Sequence, residues 1–171
     1  MSAKRKMPAQ KPGSSEQSVG TPWEFIHAVV KRFGPLAWDL AADERNRKAP
    51  FYYGVEQDTL RQDWARLRGN LWLNPEYADL DPYAAKCARE LARVQADHAR
   101  RNRHDWRVLL LTPASIGTEW FHDHVHGRAL VLGLSPRLTF VGHTHGYPKD
   151  LSLSIYSTDL GVGVAPWRWK E

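Results

Sequence analysis

The stretch whose residue types best suit chemistry is Asn74-Pro75-Glu76-Tyr77, which follows the apolar run 70–73. The amine of a nucleobase is a poor nucleophile because its lone pair is delocalised into the ring. The side-chain oxygen of Asn74 and the carbonyl of Pro75 can accept both amine hydrogens and so localise that lone pair. Tyr77 offers a ring on which a flipped-out base can stack. Asn-Pro is also a common turn former, so an ordinary loop with a core tyrosine stays open as the alternative interpretation.

The elements that must position this stretch alternate between short apolar runs and amphipathic segments, which predicts an α/β sheet with helices on both faces. Strands are expected at 36–40, 51–55 (a weak strand or extended loop), 70–73, 107–112, 129–133, 137–141 (a further candidate) and 151–156 (an edge or antiparallel strand). Helices are expected at 22–33, 57–67 (a short helix or turn), 81–101 and 115–126. Ligands of such sheets bind outside the carboxyl ends of the strands. Asp39 and the residues from Asn74 to Tyr77 are therefore expected at the ligand-binding edge.

The ordered domain is expected to cover residues 21–171. Residues 1–20 are polar, basic and rich in Ser, Gly, Pro, Lys and Gln, a composition typical of a disordered tail. Thr21 is a suitable N-cap and Pro22 a suitable first helical residue, so the first helix is expected to begin there.

Composition narrows the classes of function. The net charge of +5 and the pI near 9.5 favour polyanionic partners, although many soluble proteins are as basic. No apolar run approaches the roughly 18 residues of a membrane span, and no apolar segment follows the basic N-terminus, so a cytoplasmic protein without a membrane anchor is expected. The single cysteine, Cys87, excludes a disulfide framework and a zinc site built on several thiolates. The sequence lacks a phosphate-binding Gly-x-x-x-x-Gly-Lys-Ser/Thr loop and a nucleophile elbow, which argues against a nucleotide triphosphatase and a serine hydrolase.

A resemblance to a known family adds to these patterns. Asn74-Pro75-Glu76-Tyr77 resembles the Asn/Asp-Pro-Pro-Tyr/Phe signature of amino-group DNA methyltransferases. Over residues 21–157 the chain is similar to the phage-type DNA N6-adenine methyltransferases, the phage Dam family. The matching features, in chain order, are Thr21-Pro22, Phe33-Gly34, Asp39-Leu40-Ala41-Ala42, Asp58-Thr59-Leu60 with Trp64, Trp72-Leu73 before the Asn74 stretch, Pro82, Lys86-Cys87-Ala88, Leu110-Leu111-Thr112-Pro113-Ala114 with Trp120-Phe121, and Arg137-Leu138-Thr139-Phe140.

This resemblance implies a single α/β domain with the Rossmann-like, S-adenosylmethionine-dependent methyltransferase fold. The implied reaction is transfer of a methyl group to N6 of adenine in DNA. The implied catalytic residues are Asn74, Pro75, Glu76 and Tyr77.

The residues that the resemblance places against S-adenosylmethionine are Thr21, Asp39, Ala41 and Asp58. A carboxylate at Asp39 favours the positive charge of the sulfonium. A carboxylate after the second extended segment, here Asp58, is a usual acceptor for ribose hydroxyls in this type of sheet. Asp58 as the N-cap of a following helix, and Asp63 as the ribose-binding acid, stay open as alternatives.

DNA is the implied partner, and protection of a phage against host restriction is the implied role. Candidate phosphate contacts are Arg100, Arg101, Arg103 and Arg137, although residues 100–103 also fit a solvated helix end. The chain departs from the signature at Glu76, which replaces a proline and adds a charge near the target base. Two alternatives stay open: N4-cytosine methylation by the same motif, and a basic DNA-binding protein that has lost catalysis through Glu76.

Five histidines fall into two groups: His122, His124 and His126 alternate, and His143 and His145 form a pair. Imidazole is a common zinc ligand. Alternation brings three histidines to one face only in a strand, whereas residues 115–126 are expected to be helical, so no metal is expected. The segment 142–147 is rich in His and Gly, and it fits either a DNA-facing loop or an ordinary surface loop.

Overall fold

The computed structural model describes residues 20–97 and 106–170. The helices in these ranges are α1 (Trp23–Phe33), α2 (Asp81–Ala96) and α3 (Glu119–His124). The strands are β1 (Leu36–Asp39), β2 (Phe51–Tyr52), β3 (Gly69–Leu73), β4 (Trp106–Pro113), β5 (Leu130–Ser135), β6 (Leu151–Ser157) and β7 (Gly163–Arg168). Three short 3-10 turns, Val55–Gln57, Thr59–Arg61 and Trp64–Arg66, lie between β2 and β3. None of the helices in the described ranges has the length and apolar composition that a membrane crossing needs.

The strands form one sheet in the order β2-β1-β3-β4-β6-β5-β7. Each neighbouring pair is parallel except the two pairs that β6 makes with β4 and β5. All strands but β6 therefore end at the same edge of the sheet. In the register of β1 and β3, Asp39 lies opposite Trp72, two residues before Asn74. The parallel pairing thus brings together the two stretches that the sequence placed at the ligand-binding edge.

One face of the sheet is covered by α1, whose apolar residues recur at helical spacing. Phe25, Ile26 and Val29 are buried against the sheet. The Phe25 ring meets Trp169 edge-on, with 5.1 Å between ring centroids, and Trp72 at 6.3 Å. This aromatic contact ties the first helix to the strand that leads into Asn74.

The predicted start of α1 is corrected by one residue. Pro22, not Thr21, is the N-cap, and its carbonyl accepts the backbone N–H groups of Phe25 and Ile26. No side chain caps this end of the helix. The Thr21 hydroxyl is therefore available for another contact, which it makes at the candidate site.

The opposite face is covered by α2 and α3. Helical spacing predicts an apolar stripe of Tyr83, Cys87, Leu91 and Val94 on α2. Cys87, Leu91 and Val94 are buried, together with Ala84, whereas Tyr83 is only half-buried. Phe121 of α3 packs into the same apolar cluster. Helices on both faces and a mixed seven-stranded sheet confirm the α/β prediction.

A buried ion pair joins α2 to the 3-10 turns. Helical spacing predicts Lys86 on the polar side of α2, but Lys86 is buried and its ammonium donates to Oε1 of Glu90 at 2.6 Å. The same ammonium donates to the Gln62 carbonyl at 2.6 Å, and Oε2 of Glu90 accepts the backbone N–H of Ala65 at 2.9 Å. Periodicity misses this arrangement because the segment 62–66 covers a side of α2 that would otherwise face water.

The strand predicted at 151–156 is antiparallel, as expected, but it is not at an edge. β6 lies between β4 and β5, and all seven of its residues are buried. Serines alternate with apolar residues in this strand, and a hydroxyl is small enough to be buried where a longer polar side chain is not. The alternation of serine with apolar residues therefore does not mark a side of the strand that faces solvent, because the small serine side chains are buried as well.

In this half of the sheet one further prediction is wrong and one strand was missed. Residues 137–141 form a loop and not a strand, because the backbone N–H of Tyr147 returns to the carbonyl of Leu138 at 2.7 Å and closes the segment on itself. β7 was not predicted, because its residues alternate only weakly and include Pro166, which an edge strand tolerates.

Two helices are shorter than predicted. The helix expected at 115–126 is the shorter α3, and α2 ends five residues before its predicted end at residue 101.

Removal of the Glu90 carboxylate is expected to destabilise the fold strongly. Glu90→Ala leaves the buried Lys86 ammonium without a counter-ion, so the free energy of unfolding should fall by about 3–5 kcal/mol. The control is Arg89→Ala at the exposed neighbouring position, which should stay within about 0.5 kcal/mol of the wild type. Urea unfolding followed by circular dichroism measures both, and equal midpoints for the two variants would contradict this assignment.

Candidate active site

The side-chain amide of Asn74 is held between two hydroxyl groups at the carboxyl end of β3. Its nitrogen donates to Oγ1 of Thr21 at 3.2 Å, and its oxygen accepts from the hydroxyl of Tyr77 at 3.1 Å. Thr21 is 2% exposed and precedes α1, so its hydroxyl is fixed by the packing of that helix. The two contacts set the orientation of the amide and direct its oxygen and nitrogen to opposite partners.

Tyr77 in turn belongs to a cluster of three aromatic rings. Its ring lies 5.7 Å from that of Tyr147 and 6.4 Å from that of Phe140, and the rings of Phe140 and Tyr147 are 5.6 Å apart, all between centroids. All three pairs meet edge to face, the geometry that aromatic quadrupoles favour. Burial raises the pKa of the Tyr77 phenol far above its ordinary value, and the nearby Tyr147 adds to this effect. The hydroxyl therefore stays protonated and remains a donor to Asn74 at any ordinary pH.

Asp39 ends β1 and is buried, with 3% of its surface exposed. One carboxylate oxygen accepts the backbone N–H of Lys48 at 2.9 Å, and the other accepts that of Ala41 at 3.3 Å. Burial raises the pKa of Asp39 to about 6, even though these two hydrogen bonds and the charge of Lys48 oppose the change. Asp39 thus holds the loop after β1 through two backbone hydrogen bonds. Its own carboxyl group is desolvated at the end of the strand.

The Lys48 side chain lies over the exposed ring of Trp23, with the ammonium 4.6 Å from the ring centroid. Partial burial lowers the pKa of Lys48, whereas Asp39 acts in the opposite direction. Sequence reasoning did not single out Lys48, because a lysine in a loop carries no pattern. The aromatic partners of Tyr77 were missed for a similar reason: Phe140 and Tyr147 are distant in sequence from residue 77.

The remaining acids of the predicted site are exposed. Glu76 points to solvent, whereas Pro75 is buried. Asp58 has a left-handed backbone (φ 45°) between two 3-10 turns, forms an ion pair with Arg61 at 3.0 Å, and makes no side-chain cap. Burial raises the pKa of the Tyr83 phenol, and the negative charges of Glu76, Asp58 and Asp79 raise it further. The negative charges of these three carboxylates therefore act on Tyr83, which lies in the first turn of α2.

Asp63, the other acid considered for the ribose, is already paired. Both of its oxygens accept from the guanidinium of Arg93, at 2.9 and 3.1 Å. Arg93 lowers the pKa of Asp63 mainly through this hydrogen bond. The structure thus gives Asp63 a role in fixing the 3-10 turns onto α2.

The other predicted contacts are placed as follows. Arg137 is exposed and paired with Asp150 at 3.0 Å, and Arg100, Arg101 and Arg103 lie outside the described residues. His122 and His126 stack at 6.3 Å, while His124 lies 3.4 Å from Asp81. Within residues 20–97 and 106–170, no group of three or more His, Cys, Asp or Glu side chains is arranged to hold a metal ion.

Asp39 is expected to make the fold less stable as the pH rises. Its pKa is raised from 3.8 to about 6, so its stabilising contribution is complete below pH 3.8 and is lost as the pH rises through 6. The stability of the wild type relative to Asp39→Asn should therefore fall by roughly 2–3 kcal/mol between about pH 4 and pH 7. Urea titrations across this range measure the difference, and parallel pH profiles of the two proteins would contradict the assignment.

Comparison with known proteins identifies the family of the chain. The family model described as DNA N-6-adenine-methyltransferase (Dam) matches residues 10–152, which include Thr21, Asp39, Asn74 and the loop that carries Tyr147. A DNA N-6-adenine-methyltransferase of Escherichia phage T1 is 26% identical over 144 residues, which are 84% of this chain. The matched stretch spans 56% of the phage protein. The mixed sheet is thus the core of a Rossmann-like methyltransferase fold, and the chain belongs to the DNA N-6-adenine-methyltransferase (Dam) family.

Proposed function

We propose that this protein transfers the methyl group of S-adenosylmethionine to N6 of adenine in DNA. The observation that carries the proposal is the Asn74 side chain, which is fixed by Thr21 and Tyr77 at the carboxyl edge of the sheet in a chain of the Dam family. The matched phage protein bears the name of this activity.

The chemistry follows from the acceptors at this edge. An amide oxygen has two acceptor positions, and the Tyr77 hydroxyl occupies one of them on Asn74. The other can accept one hydrogen of the adenine amine, while the carbonyl of Pro75 accepts the second. These bonds withdraw the nitrogen lone pair from the ring and direct it toward the methyl donor. The nitrogen would then bond to the methyl carbon as the carbon–sulfur bond breaks, with its electron pair left on a neutral thioether sulfur, and the proton lost by the amine would pass to water.

Tyr77 is our candidate for the surface on which the flipped base stacks, in addition to its hydrogen bond to Asn74. The ring is held by Phe140 and Tyr147, so little order has to be gained when a base arrives. No covalent intermediate is needed. Alignment of the amine with the donor supplies much of the rate in this scheme.

The residues around β1 fit a cationic co-substrate. S-adenosylmethionine supplies an electrophilic methyl group on a positively charged sulfur. Ionisation of the buried Asp39 carboxyl group lowers the stability of the fold, and a cation bound near it would offset that loss. Ala41 donates its backbone N–H to the Asp39 carboxylate, and Thr21 holds the Asn74 amide at the end of the neighbouring strand; both are candidate contacts for the co-substrate. Asp58 is the candidate for the ribose hydroxyls once its side chain leaves Arg61.

Glu76 does not prevent the arrangement on which catalysis depends. Its side chain is exposed, and the contacts of Asn74 with Thr21 and Tyr77 form with Glu76 in place. This favours an active enzyme over a DNA-binding protein that has lost catalysis. The family match favours adenine over cytosine as the target base.

The test is methyl transfer from labelled S-adenosylmethionine to unmethylated duplex DNA, with the product nucleosides identified. N6-methyladenine is expected from the wild type. Asn74→Ala should lower the single-turnover rate about 100-fold or more, because it removes an acceptor aimed at the reacting amine. Asn74→Asp keeps an acceptor at the same position and should lose less.

Calorimetric titration with S-adenosylmethionine separates the alternatives. The affinity of Asn74→Ala for the co-substrate is expected to lie within about threefold of that of the wild type, since the Asn74 side chain faces the base.

The product of the methyl-transfer assay identifies the target base. N4-methylcytosine as the product would replace adenine by cytosine as the target. Folded wild-type protein that binds DNA but forms no methylated base would contradict the enzymatic proposal.

A further inference from the structure

We propose that the loop between β5 and β6, residues 136–150, contacts the DNA bases that flank the target adenine. This inference rests on the proposed function. It assigns to one segment the recognition of the duplex around the reacting base.

The loop lies at the reacting edge of the sheet. It leaves β5 at Ser135, and the carboxyl end of β5 shares an edge with the carboxyl ends of β1 and β3. Its two ends are clamped together, because Arg137 donates to the Asp150 carboxylate at 3.0 Å and to the Pro148 carbonyl at 3.3 Å. A second contact, the 2.7 Å hydrogen bond from Tyr147 to Leu138, closes the loop further out.

The loop is joined directly to the residues proposed for catalysis. Phe140 and Tyr147 hold the Tyr77 ring from one side. The backbone N–H of Val141 donates to the carbonyl of Gly20 at 3.0 Å, and Gly20 precedes Thr21, the partner of Asn74. These contacts join the loop to the catalytic motif and to the residues that precede α1. They therefore fix the position of the loop relative to Asn74 and Tyr77.

Beyond these anchors the tip is free to meet another molecule. All six residues 141–146 are exposed, and Gly142 has a left-handed backbone (φ 86°) that turns the tip. The tip presents His143, Thr144 and His145. The Thr144 hydroxyl and Nδ1 of His145 hydrogen-bond to each other at 2.8 Å, which leaves Nε2 of His145 and both ring nitrogens of His143 to donate or accept. Such groups can pair with the donors and acceptors on base edges in the major groove.

The charges at this edge favour the same approach of DNA. The connection after β3, residues 74–80, carries Glu76 and Asp79 and no basic residue, so it repels phosphate. The 136–150 loop carries Arg137 and Lys149 against a single acid, Asp150. Between the loop and Lys48 lies Gly20: a Cβ placed there would be 3.7 Å from the Val141 side chain and 3.9 Å from Nζ of Lys48. A duplex that avoids the acids near Tyr83 would thus lie across the loop and Lys48.

The test compares His143→Ala/His145→Ala with a matched control, His122→Ala/His126→Ala. The control removes two exposed histidines that precede β5, toward the opposite edge of the sheet. Each protein methylates a library of duplexes with a fixed adenine and randomised flanks, and the methylated sequences are counted. DNA affinity is measured separately by fluorescence anisotropy on an unmethylated duplex, without co-substrate.

The loop variant is expected to lose about tenfold in kcat/KM on the preferred flanks and to show a flattened flank preference. Its DNA affinity should fall, while its affinity for S-adenosylmethionine and the behaviour of the control stay unchanged. Wild-type flank preference and affinity in the loop variant would overturn the proposal. If the wild type transfers no methyl group, the proposed reaction fails, but loss of DNA affinity in the loop variant alone would still support the loop as the DNA contact.

Discussion

The hydrogen bonds that hold the Asn74 amide between Thr21 and Tyr77 are the constraint on which the rest of the site depends. A free asparagine side chain can rotate and present either its oxygen or its nitrogen to a ligand. Here one partner takes the nitrogen and the other takes the oxygen, so the acceptor keeps one direction. Each partner is held by a different part of the fold: Thr21 by α1, and Tyr77 by the aromatic residues of the 136–150 loop. Three segments distant in sequence must therefore pack correctly before this one oxygen is placed.

The parallel sheet brings these segments together, but it also buries a carboxyl group, which lowers the stability of the fold near neutral pH. Asp39 is buried beside the end of β3, where desolvation raises its pKa to about 6. An ionised carboxyl group in that position destabilises the fold near neutral pH by about 3 kcal/mol. Such a cost is typical of a residue retained for binding, because a cation near the carboxylate offsets it. The acids whose charges act on Tyr83 suit a cation, and the basic residues of the 136–150 loop suit a polyanion.

The sequence was most informative where a periodic pattern is produced by a single element. The buried stripe of α2 and the strands β1, β3 and β4 could be predicted, and the parallel order then placed Asp39 near Asn74. Contacts between distant segments left no such pattern. Lys86 looks like a surface residue until the 3-10 turns cover it, and the alternation of 137–141 reflects two side chains buried from a loop. The role of Thr21 as a partner of Asn74 could not be predicted either, because its position before Pro22 equally suits a helix cap.

A double-mutant cycle on the methyl-transfer rate tests the central role of the Asn74 orientation most directly. Thr21→Val and Tyr77→Phe each remove one hydroxyl and keep the shape of the side chain, and each alone should slow single-turnover transfer about tenfold. Because either loss releases the same amide, the double variant should be about as active as the slower single variant. If the two losses multiply instead, the hydroxyls act independently, and the amide they share is not the element that they hold in place.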